Sequence, residues 1–105
     1  MPIQLSILER RDSGSRETMG NAALELCRIL RKRKGINSAK FYWYGPDEIV
    51  FLVEGEATAL DNPDPATLAD YSKVLYTLAD HGRMSMNKRL IDPKAGLESY
   101  RSAGR

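Results

Sequence analysis

A chain of 105 residues, 42% apolar and 29% charged, suits one domain spanning residues 1–105 and leaves no room for a separate binding module. No apolar run approaches the ~18 residues of a membrane span, and the opening Met-Pro-Ile-Gln-Leu lacks the basic-then-apolar pattern of a signal peptide. The expectation is a cytoplasmic protein without a membrane partner. A net charge of +2 is too small to demand an anionic partner, and one cysteine with one histidine makes neither an intrachain disulfide nor a zinc-type ligand set.

Taken in order, residues 2–10 read as a strand with Ile3, Leu5 and Ile7 on one face and Gln4, Ser6 and Leu8 on the other. Residues 11–15 carry turn chemistry, and Ser13 or Ser15 is placed to cap the helix that follows, which runs to Lys34. Its apolar stripe, from Met19 through Ala22, Ala23, Leu26 and Cys27 to Leu30, recurs at three- and four-residue spacing. Cys27 on that stripe reads as a buried, inert thiol. Arg31, Lys32, Arg33 and Lys34 fill the last turn, where cations suit the helix dipole, and Gly35 supplies a left-handed stop.

Residues 41–55 are the centre of the pattern: two β-branched and aromatic runs flank Gly45-Pro46-Asp47, a hairpin with a short connection. Their hydrophobicity is nearly continuous rather than alternating, so both faces need cover. Residues 54–65 read as a loop, and Asp64 followed by Pro65 as a helix N-cap with proline at the first position. The second helix carries Leu68, Tyr71, Leu75 and Leu78 on one stripe and stops at Gly82. Residues 83–91 form the last strand, with Met84 and Met86 on one face and Arg83, Ser85 and Asn87 on the other. Asp92-Pro93 caps a short terminal helix through Tyr100, and residues 102–105 fray.

The order β-α-β-β-α-β is the α+β, ferredoxin-like arrangement, in which two helices cover one face of a four-stranded antiparallel sheet. Packing two sheets face to face is the simplest way to cover the other face. The expected assembly is therefore a homodimer, with about 800 Å² buried per partner.

Residues 35–54, Gly-Ile-Asn-Ser-Ala-Lys-Phe-Tyr-Trp-Tyr-Gly-Pro-Asp-Glu-Ile-Val-Phe-Leu-Val-Glu, resemble the second and third strands of the dimeric α+β barrel proteins. The likeness is greatest to the GYD-domain and antibiotic-biosynthesis-monooxygenase-like branches. Phe41, Tyr42, Trp43, Gly45 and Glu54 match the GYD branch, whereas Pro46-Asp47-Glu48 stand where that branch has its tyrosine and aspartate. The resemblance implies a barrel-forming homodimer. It leaves activity open, since the superfamily includes cofactor-free monooxygenases, haem-degrading oxygenases, lactone isomerases and groups without a known activity.

Read as chemistry, His81 either suits its helix C-terminus or serves as a general base or haem ligand facing a cavity. Haem-degrading relatives use an Asn, Trp and His set, but Asn21 falls on the first helix, so that activity is not carried over. Tyr42, Trp43 and Tyr44 alternate sides and read either as packing or, for one or two of them, as cavity lining opposite Tyr71, Met84 and Met86. Arg83 is placed to orient a carboxylate or phenolate. The basic run 28–34 raises the RNA-recognition motif, which shares this topology. That motif needs aromatics on the first and third strands, and here the first has none, so nucleic acid is not expected as a partner. A regulatory small-molecule domain of the ACT type ranks third, because the loop before the first helix has the wrong length for its ligand turn. Two classes stay open. One is an oxygenase or isomerase working without cofactor or metal on a small aromatic or apolar molecule, with His81 and Arg83 as catalytic candidates; the other is a non-catalytic binding or structural protein.

Overall fold

The computed structural model describes residues 1–62 and 64–103, with side chains through residue 98. The elements are β1 (Ile3–Arg10), α1 (Arg16–Arg31), β2 (Ile36–Trp43), β3 (Glu48–Gly55), α2 (Ala57–Asp61), α3 (Leu68–His81), β4 (Gly82–Leu90) and α4 (Pro93–Ala103). The four strands are antiparallel in the order β2-β3-β1-β4, and α1 and α3 lie over one face, which is the ferredoxin-like α+β architecture. Among the described residues no helix is long and apolar enough to cross a membrane.

Helix α1 behaves as its spacing dictates. Ser15 caps it by accepting the Thr18 amide at 3.2 Å, and Met19, Ala22, Ala23, Leu26, Cys27, Ile29 and Leu30 are buried. Burial raises the Cys27 thiol above its ordinary pKa, which suits an inert core residue. The helix ends at Arg31, three residues before the basic run does, and Gly35 takes the left-handed conformation at φ +89°.

Register explains how the sheet uses its two faces. Strand β3 alternates strictly: Ile49, Phe51 and Val53 are buried under the helices, while Val50 and Leu52 point to the open side. In β1, Leu5 pairs with Leu52 and Ile7 with Val50, so Ile3, Leu5 and Ile7 belong to that open side as well. The face of β1 turned toward the helices is the mixed one, Gln4, Ser6 and Leu8.

Four local expectations are revised. Met84 and Met86 do not share a face, because Ile7 pairs with Met86 and Leu8 with Met84, so Ser85 is the extra residue of a β-bulge. The bulge flips alternation by one position and leaves Met84 on the helix side and Met86 on the open side. Helix α3 begins at Leu68 rather than at Pro65: Asp64 accepts the Ala66 amide at 3.0 Å and so caps a preceding turn. Within the expected loop after β3, residues Ala57–Asp61 form a short helix, α2. The C-terminal helix extends to Ala103, three residues past the expected end at Tyr100; of the end expected to fray, Gly104 and Arg105 lie outside the described residues.

Candidate functional site

Helix α3 packs against α1 and, more lightly, against β4. Its stripe is only partly used: Leu78 is buried at 4% exposure, whereas Leu75 and Leu68 are 38% and 44% exposed. Beneath this half-covered helix is a cavity of about 400 Å³, bounded by the end of α1, by α2, by α3 and by the helix-facing side of β1, β3 and β4. This volume lies within the ~300–1,000 Å³ range of small-molecule sites.

The walls are mainly apolar, with Leu26, Leu30, Phe51, Val53 and Leu78 as the principal surfaces. Ala59 and Leu60 of α2 close one end, so the unexpected short helix contributes to the enclosure. The polar contribution comes from Gln4 and Ser6 on the floor and from Arg11, Arg33 and Arg83. Gln4 and Ser6 are held in place by Asn87: its Oδ1 accepts from Ser6 Oγ at 3.0 Å and from Gln4 Nε2. Gln4 Oε1 in turn accepts from Arg89 Nε at 2.8 Å, and Arg89 reaches Asp61 of α2 at 2.6 Å. Such a chain of partners fixes side chains that would otherwise be free to rotate.

The three cavity arginines differ in what they already hold. Arg11 donates from Nε to the carbonyls of Ala79 and Gly82, at 3.0 and 3.2 Å, and so fastens the first loop to the α3–β4 junction. Arg83 borders the cavity while its exposed guanidinium donates to Glu9 at 3.5 Å. Arg33 is 7% exposed, stacks with its guanidinium carbon 4.4 Å from the centre of the Tyr71 ring, and gives Nε and Nη2 no acceptor among the described residues. Among the described residues no aspartate or glutamate lines the cavity.

Of the residues singled out from the sequence, Tyr71, Arg83 and Met84 come together at the cavity. His81 lies at the end of α3, outside the lining, where its Nδ1 accepts the Ser15 amide at 2.9 Å. That bond leaves Nε2 to carry the ring proton and ties α3 to the start of α1. Gly14 beside it is obligatory, since a Cβ there would stand 2.1 Å from the His81 carbonyl oxygen. Trp43 covers Gly20 of α1, Tyr42 faces the open side opposite Val50, and Tyr44 stands 69% exposed at the hairpin turn. Met86 is on the open side too. Sequence reasoning missed Arg33 and Gln4. The signal for Gln4 was its place beside Ser6 on the polar face of an otherwise apolar strand; Arg33 was hidden in a basic run that suits a solvated helix end.

No family model matches the chain, and no curated protein matches it. Solved structures do. SnoaB from Streptomyces nogalater, a cofactor-independent oxygenase, superposes with a TM-score of 0.71 at 7% identity, over 87% of this chain and 91% of that one. Rv0793 from Mycobacterium tuberculosis gives 0.70 at 15% identity over 88% and 95%. A protein from Nitrosomonas europaea assigned to the antibiotic biosynthesis monooxygenases gives 0.66 at 13% identity over 86% and 94%. At these identities the likeness is one of fold, and the chain has the ferredoxin-like α+β fold of the antibiotic-biosynthesis-monooxygenase-like proteins.

Proposed function

We propose that this protein binds a small, largely apolar or aromatic molecule in the cavity between helices and sheet, and does so as a cytoplasmic homodimer. The observation that carries the reading is the cavity itself: about 400 Å³, mostly apolar, with its few polar groups drawn from several elements. A structural role alone would leave that volume without a purpose, since interiors pack densely and voids cost stability. The homodimer follows from the open side of the sheet. Ile3, Leu5, Ile7, Val50 and Leu52 form an apolar patch on the two central strands, with Lys40 and Lys88 on the edge strands beside it.

The likeness to a cofactor-independent oxygenase favours a second, catalytic reading, oxygenation or isomerisation of the bound molecule without metal or cofactor. In that reading Arg83 and Tyr71 are the sequence candidates that border the cavity, beside Gln4, Ser6 and Arg33, and His81 acts only if its contact with Ser15 opens. The neutral fluorophore N-phenyl-1-naphthylamine tests the binding claim common to both readings. It is expected to bind one per chain, and Leu75→Trp, which places an indole at the cavity wall, to lower the affinity at least about tenfold. Binding unchanged in Leu75→Trp would place the fluorophore elsewhere and overturn the proposal.

A further inference from the structure

A buried guanidinium without an acceptor is costly, because it gives up hydration and gains nothing in return. Arg33 is in that position. It is 7% exposed, forms part of the cavity wall, and leaves Nε and Nη2 unbonded among the described residues. Its one compensation is the Tyr71 ring at 4.4 Å, which offers a π face but no hydrogen-bond acceptor for the planar fork of donors. Every other arginine that lines the cavity is occupied: Arg11 by two backbone carbonyls and Arg83 by Glu9. A partner packed on the open side, as proposed above, would lie across the sheet from Arg33.

We infer that Arg33 is the anion-recognising residue of the cavity and that the ligand is a monoanionic organic acid: an apolar or aromatic body with one carboxylate or enolate at its end. The inference rests on the cavity being the binding site. Nε and Nη2 lie on one edge of the guanidinium and present two parallel N–H bonds, which match two oxygens of a carboxylate. The apolar body then lies against Leu30, Phe51, Val53 and Leu78, and Tyr71 holds the guanidinium plane in place. The absence of carboxylates from the lining among the described residues points the same way, because a cationic ligand would have to lie beside the unpaired Arg33 with nothing to offset it.

The test compares two probes of similar shape, the anionic 8-anilino-1-naphthalenesulfonate and the neutral N-phenyl-1-naphthylamine, on the wild type and on Arg33→Met. A hydrogen-bonded charge pair corresponds to about a 10- to 100-fold difference in affinity. The expected result is that Arg33→Met loses the anion by that factor, keeps the neutral probe within about threefold, and melts no lower than the wild type, since methionine relieves an unpaired buried charge. A crystal of the wild type soaked with the sulfonate checks the same claim without relying on a variant that must fold, and is expected to show the sulfonate oxygens on Arg33. If the neutral probe binds but Arg33→Met treats both probes as the wild type does, or the sulfonate sits away from Arg33, the inference falls and the cavity reading stands. If neither probe binds the wild type, both fall.

Discussion

Asp47 shows how one side chain in a turn can fix a whole hairpin. Its Oδ1 accepts from Arg10 at 2.9 Å and from Arg16 at 3.0 Å, so the β2–β3 turn is tied to the end of β1 and to the first turn of α1. The Arg10 hydrogen bond, supported by that of Arg16, holds the Asp47 carboxyl below the usual aspartate range. A folded value below the unfolded one stabilises the fold at pH above about 3.9, the value in the unfolded chain, and the contribution fades as the pH falls through the folded value. Asp47 and Arg16 are exposed and Arg10 half-buried, so the effect is small and screened by salt. Asp47→Asn is therefore expected to melt slightly below the wild type at pH 7, with the gap narrowing once the pH drops below about 3.9. A gap that stays constant down to pH 2 would show that the ion pairs contribute nothing. Residue by residue, what the sequence could reveal depended on whether a side chain acts locally. Ser15 as cap and Gly35 as stop act within one turn and were legible. Arg33 was not, because it is buried against Tyr71 of α3, more than thirty residues away in the chain, which no local pattern encodes.

At the scale of elements, the helices and strands were readable from periodicity, and the departures have physical causes. The Ser85 bulge leaves no composition signal: its neighbours alternate polar and apolar as a regular strand does, and only pairing with β1 shows that Met84 and Met86 face apart. Helix α2 forms within a stretch rich in Asp, Asn and Pro that reads as loop, held by the Leu60 amide donating to Glu56 at 3.0 Å and by Leu60 packing against the core. The hairpin expectation, strands needing cover on both faces, is met on one face by α1 and α3, while on the other face the described residues place no covering layer. The open face is thus the element with the clearest unmet requirement. Placing a charge at its centre, as in Leu52→Lys, is expected to give a folded monomer at micromolar concentration while the wild type sediments as a dimer. A monomeric wild type at that concentration would remove the homodimer from the proposal.

For the whole molecule, the two faces of one sheet divide the labour. The helix side, with its polar floor and incompletely covered α3, accommodates the cavity; the open side, apolar on its central strands, is the face proposed for assembly. Ferredoxin-like topology permits this division because both helices cross on the same face and leave the other free. The same topology carries many unrelated functions, so the functional argument rests on the cavity and its arginines rather than on the fold. The measurement that tests it most directly is a methyl NMR titration of the wild type with N-phenyl-1-naphthylamine. The largest shifts are expected at Leu26, Leu30, Val53 and Leu78, the walls of the cavity. Largest shifts at Ile7, Leu52 and Met86, with the cavity methyls unmoved, would put the ligand on the open face of the sheet and contradict it.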